Sequence, residues 1–133
     1  MHELVIVSGI IDALMNLSER ENRRIRSFTV SVGELASFDK NLIDSLIREL
    51  RKGTPLEDAE YRLVIEKAEV RCRTCSHISG FNDLIMPLKE DEREMIHFLP
   101  ELVSSFTQCP SCGSRDLEIE SGRGIKVVDI ELE

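Results

Sequence analysis

Apolar residues recur at steps of three and four near the start of the chain, at Leu4, Val7, Ile10, Ile11, Leu14 and Leu17. That spacing makes one face of an amphipathic helix. From Ser18 to Arg26 the chain is densely charged and reads as a loop. The period then changes. Phe28, Val30 and Val32 alternate with Thr29 and Ser31, which predicts a half-buried strand ending at Gly33. Asp39 is placed to cap a second helix whose buried stripe is Leu42, Ile43, Leu46, Ile47 and Leu50. Gly53 and Pro55 stop it. Tyr61, Leu63 and Ile65 alternate as a second strand that leads towards Cys72.

The middle of the chain is less regular. Leu84 to Leu88 is apolar but broken by Pro87, and Asp91 to Phe98 is a polar, helix-compatible run. Leu102, Val103 and Phe106 predict one more helical turn. Leu117 and Ile119 then alternate, Gly122-Arg123-Gly124 forms a turn, and Val128, Ile130 and Leu132 close with a final strand. The order is that of an α+β body interrupted by a separate module, with the last strand returning to the first sheet. The body is expected over 1–68 plus 122–133 and the module over 69–121, with an insertion at 78–106.

The module is defined by the only four cysteines in the chain, Cys72-Arg-Thr-Cys75 and Cys109-Pro-Ser-Cys112. Two turns of equal spacing offer four thiolates, the closed tetrahedral set of a structural Zn(II) site with no position left open for catalysis. Disulfides within each pair would form strained small rings, and a redox pair normally occurs once. No leader precedes these pairs, and no apolar run approaches a membrane span, so the expectation is a soluble cytoplasmic chain.

Charge narrows the partners. The 133 residues carry 25 acidic and 17 basic side chains, net −8. Nucleic-acid binders need the opposite balance, because they displace counterions with Lys and Arg. The hydrophobic share of 41% suffices for a core although Trp is absent.

Candidate chemistry outside the cysteines rests on few residues. His2 follows Met1 directly, so the Met1 amine, the His2 amide nitrogen and imidazole Nδ1 can chelate one ion through fused five- and six-membered rings. Square-planar nitrogen sites of that kind suit Ni(II) or Cu(II). Glu3 adds a carboxylate and its own amide nitrogen. On composition alone, a chance Met-His start is the simpler reading. His77 stands two residues after Cys75, where hydrogen bonding to a thiolate or plain solvation outweighs a ligand role. His97 reads first as a packing residue and Asp39 as an N-cap. There is no phosphate loop and no acid–base pair, so nothing points to an enzyme.

With these residues assembled, the chain resembles the HypA family of nickel metallochaperones for [NiFe]-hydrogenase maturation. The resemblance runs through Met1-His2-Glu3, Val32-Gly33-Glu34-Leu35, the Gly53-Thr54 turn, Val70 to His77, Cys109 to Ser114, and Gly122-Arg123-Gly124. It implies two helices packed on a three-stranded sheet as a nickel-binding domain, with an inserted four-cysteine zinc-binding domain. It places transient nickel at His2, with Glu3 and the first backbone nitrogens completing a roughly planar site, and structural zinc at Cys72, Cys75, Cys109 and Cys112. It also implies a HypB-type nucleotide hydrolase as nickel donor and the hydrogenase large subunit as recipient, with the protein acting as monomer or dimer. The long segment between the cysteine pairs, with Ile96-His97-Phe98-Leu99-Pro100-Glu101, is similar to the archaeal members and makes His97 a candidate nickel donor. The competing function is a structural zinc-ribbon adaptor for protein–protein contacts. Its signature would be basic residues clustered around the knuckles, where only Arg71, Arg73 and Arg115 qualify, and it leaves Met1-His2-Glu3 unexplained.

Overall fold

The computed structural model describes residues 2–133. The chain divides into two compact units, one of residues 1–32, 37–64 and 125–133 and the other of residues 33–36 and 65–124. The limits fall a few residues from the expected 68/69 and 121/122, and the short Gly33–Ala36 segment joins the second unit.

In the first unit, helix α1 (Glu3–Glu21) packs on helix α2 (Lys40–Leu50). The sheet has strand order β2-β1-β6, where β1 is Ile25–Gly33, β2 is Glu60–Glu66 and β6 is Ile125–Leu132. The core comprises Val7, Ile10, Ile11 and Leu14 of α1, Phe28, Val30 and Val32 of β1, and Ile43 and Ile47 of α2. These are among the residues whose periodicity predicted the elements, although Leu4 and Leu42, counted on the same stripes, are exposed. The final strand returns to the first sheet: β6 runs antiparallel to β1, with Val30 opposite Val127 and Val32 opposite Ile125. Tyr61 ties β2 to α2. Its ring stacks on Phe28 at 5.6 Å, and its hydroxyl donates to Asp44 Oδ1 at 2.6 Å.

One expectation fails here. Ser18 to Glu21 is not loop but the last turn of α1, which stops at Asn22 in the left-handed conformation (φ 51°). The N–H groups of Asn22 and Arg23 cap the carbonyls of Glu19 and Ser18, so the turn is closed without burying anything apolar. α2 starts as expected, with Asp39 Oδ1 accepting the N–H groups of Asn41 and Leu42 at 2.9 and 3.2 Å.

Gly9 lies in the exposed face of α1, and a Cβ there would meet nothing within 4 Å. Gly9→Ala is therefore expected to stabilise the protein by roughly 0.5–1 kcal/mol, the helix-interior penalty of glycine, readable as a higher unfolding midpoint.

The second unit contains a sheet of which the alternation revealed one strand, at Leu117 and Ile119; its order is β4-β3-β5, with β3 Glu69–Cys72, β4 Ile78–Gly80 and β5 Leu117–Ser121. β3 pairs antiparallel with both neighbours. The expected insertion is the rest of this unit: helices α3 (Phe81–Ile85) and α4 (Glu90–Phe98), a 3-10 turn at Pro100–Leu102, and helix α5 (Val103–Phe106). Phe81, Ile85, Ile96 and Val103 are buried against Ala68 and Val70, giving the unit a hydrophobic core of its own. Gly33–Ala36 is held within this unit: Glu34 Oε1 accepts the Ala68 N–H at 2.8 Å, Oε2 accepts Asn82 Nδ2–H at 2.9 Å, and Leu35 packs on the core. A Cβ on Gly33 would stand 2.3 Å from the Gly122 carbonyl oxygen, so this approach admits only glycine. No helix among the described residues is long and apolar enough to cross a membrane.

Candidate metal centres

The four cysteines come together in the second unit. Each pair sits in a knuckle of the same construction. The Cys72 N–H donates to the His77 carbonyl and the Ser76 N–H returns to the Cys72 carbonyl; likewise the Cys109 N–H donates to Ser114 and the Gly113 N–H to Cys109. In both, the fifth residue is left-handed, Ser76 at φ 68° and Gly113 at φ 78°. Glycine takes that conformation freely, whereas Ser76 takes it under strain. A hydrogen bond from Thr74 Oγ1 to Ser114 Oγ (2.9 Å) joins the two knuckles.

The sulfurs lie at 3.6 Å for Cys72–Cys112 and for Cys75–Cys109, and all four are within 4.8 Å of one another. A tetrahedral ion with metal–sulfur bonds of about 2.3 Å separates its sulfurs by about 3.8 Å. The donor set fits such an ion. Cys72 and Cys109 are buried, and Cys75 and Cys112 are exposed.

The electrostatics agree. The backbone N–H of Cys75, assisted by that of Thr74, holds the Cys72 thiol down to about 6 against the cost of its burial. For Cys109, burial raises the pKa, but the N–H groups of Cys112 and Ser111 outweigh it and the net shift is downward. Cys112 is pushed up to about 12. The Ser114 N–H favours its ionisation, but burial and the crowding of Cys72, Cys75 and Cys109 prevail. Four thiolates at this spacing need a cation among them.

His77 contributes its carbonyl to the first knuckle while its side chain is exposed. The arginines around the knuckles are engaged: Arg71 with Glu120, Arg73 with Glu118 at 3.1 Å, and Arg115 with the Ser105 carbonyl.

The residues predicted for the other site lie at the head of α1, in the first unit. The Met1 amine falls outside the described residues. His2 is the N-cap residue; its carbonyl accepts the Ile6 N–H at 3.0 Å, but its exposed imidazole makes no capping hydrogen bond. Glu3 is only 4% exposed, and its Oε2 accepts the Asp39 N–H at 3.1 Å. Its carboxylate thus anchors the start of α1 to the start of α2. His97 belongs to the second unit, on α4, exposed and with its ring tilted 56° against Phe81 at 6.4 Å. Sequence reasoning gave Glu34 no role of its own; its place in the Gly33-Glu34-Leu35 motif was the one signal.

Comparison with known proteins gives a consistent answer. A family model described as hydrogenase/urease nickel incorporation, metallochaperone, hypA matches residues 1–132. The chain is 35% identical over 134 residues to the hydrogenase maturation factor HypA of Thermococcus sibiricus, covering 100% of this chain and 97% of the relative. It is 36% identical to that of Pyrococcus abyssi, covering 100% and 96%. Among solved structures, the Ni metallochaperone HypA from Helicobacter pylori superposes with a TM-score of 0.59 at 25% identity, covering 99% of this chain and 97% of that one. A second solution structure of HypA protein shares the fold with a TM-score of 0.66 at 24% identity, covering 100% and 97%.

Proposed function

Since the chain belongs to the HypA family of nickel-incorporation metallochaperones, which carry metal and are not enzymes, we propose that it binds Ni(II) as cargo at its first residues and delivers it for [NiFe]-hydrogenase maturation. The observation that carries this reading is the exposed, uncapped imidazole of His2 beside a buried Glu3. The Met1 amine, the His2 amide nitrogen and imidazole Nδ1 supply three adjoining nitrogens of the kind Ni(II) prefers in a plane, with Glu3 at hand to complete the set. Glu3 Oε2 accepts the Asp39 N–H, which holds this residue in place beside that set.

The cysteine site does the opposite job. Cys72, Cys75, Cys109 and Cys112 hold a permanent Zn(II), which supplies folding free energy to a unit of short strands and helices. The partners are a HypB-type nucleotide hydrolase that hands over nickel and the hydrogenase large subunit that receives it, in the cytoplasm. A zinc-ribbon adaptor remains the second reading. It is disfavoured because Arg71, Arg73 and Arg115 already have partners within the unit.

Nickel titration calorimetry on zinc-loaded, tagless protein starting at Met1 tests this. One nickel per chain is expected, with zinc content unchanged. Binding should weaken as pH falls, because protons then compete for the imidazole and amide nitrogens. Uptake that requires zinc loss, or that ignores pH, would contradict the proposed donors.

A further inference from the structure

Helix α4 has two unlike sides. Ile96 is fully buried, Arg93 donates to the Met86 carbonyl, and Glu92 accepts the Lys89 N–H. The opposite side carries Asp91, Glu94, Met95 and Phe98, spaced by three and four residues so that they share one stripe, with Leu99 four after Met95. Phe98 is 90% exposed, and Met95 and Leu99 are about half exposed at 45% and 47%. Leaving an aromatic ring in water forfeits the free energy of burying it, and here the unit's own core begins one turn away at Ile96. Asp91 and Glu94 beside it take part in no ion pair among the described residues, and the nearby Glu101 is neutralised by Arg123.

We propose that this stripe is a docking site for a short cationic amphipathic segment of a partner protein, with Phe98 as its anchor. Charge selects that occupant. A second copy would set Asp91 and Glu94 against their equivalents in a chain of net charge −8. An anionic membrane surface would be repelled for the same reason. The apolar area is too small for a stable dimer, which needs roughly 20–30 residues a side, whereas one exposed aromatic flanked by charge is the usual form of a hot spot. No zinc donor belongs to the stripe, so zinc content reads the cysteine site separately, and the peptide readout uses no nickel, so the candidate donor His97 beside Phe98 does not enter it.

The test uses full-length, zinc-loaded protein and a dye-labelled helical peptide made of Leu and Lys, about 18 residues or five turns long. Fluorescence anisotropy should show binding that Phe98→Ser weakens by about tenfold or more. The pair Asp91→Lys with Glu94→Lys should weaken it likewise, and added salt should oppose it. Phe98 lies outside the core, so zinc content and circular dichroism should not change. Any of four results overturns the proposal: peptide binding indifferent to Phe98→Ser; equal binding of a Leu and Glu peptide; self-association in sedimentation that Phe98→Ser abolishes; or Phe98-dependent binding to phosphatidylglycerol vesicles in place of the peptide.

Discussion

Cys109→Ser is expected to strip the protein of zinc and to unfold the second unit while leaving the first unit's elements in place. Cys109 is buried, it stands 3.6 Å from Cys75, and its sulfur accepts the Ser111 N–H. A serine hydroxyl is a harder, shorter donor and does not ionise at neutral pH, so the tetrahedral set loses one of its four charges. The unit depends on that set because its strands are short, four residues in β3 and three in β4. Hydrogen exchange reads the outcome by region. The amides of Val70, Phe81, Ile96 and Val103 should lose protection, and those of Val7, Val30 and Ile47 should keep it. Uniform loss across both units would show that they fold as one. Retained zinc would show that three sulfurs suffice.

His2→Ala is the complementary change, with nickel as its readout. In the proposed site the imidazole closes the six-membered ring of the chelate, and without it the remaining nitrogens would hold nickel no better than a generic peptide start. The loss should exceed the roughly 10–100-fold typical of removing a group that merely supports a ligand, and should leave no measurable uptake at micromolar nickel. Zinc should stay, because His2 belongs to the first unit and the cysteines to the second. The helix should stay as well, since His2 starts α1 through its carbonyl, which alanine also has. A residual site of unchanged affinity would move the cargo to other donors.

Much of the architecture was legible because it is written in two periods. The i, i+3, i+4 steps of Val7 to Leu14 mark a face that is buried, and Asp39 caps where a capping residue should. The alternation of Phe28 to Val32 located β1, but the strand is not half-buried as expected, because Thr29 and Ser31 on its other face are covered as well. The cysteine spacing was likewise sufficient to bring four sulfurs together. What escaped the reading has physical reasons. The last turn of α1, Ser18 to Glu21, is polar all round and is held by the left-handed Asn22, so no apolar step announces it. Strands β3 and β4 are too short to show alternation and are defined by the knuckle between them. The hold on Gly33 to Leu35 depends on Ala68, Asn82 and Gly122, all distant in sequence. At the head of α1, sequence supplied His2 and Glu3 as candidates but not the hydrogen bond that ties Glu3 to Asp39, 36 residues away.

On the proposed reading, cargo and structural metal are separated by chemistry, nickel on nitrogen at the first residues and zinc on sulfur in the knuckles. X-ray absorption at both metal edges, on one sample loaded with one nickel and one zinc per chain, tests it most directly. The expected result is a nickel shell of nitrogen and oxygen donors only, planar and with imidazole scattering, and a zinc shell of four sulfurs at about 2.3 Å. Sulfur in the nickel shell, or nitrogen replacing sulfur around zinc, would contradict it.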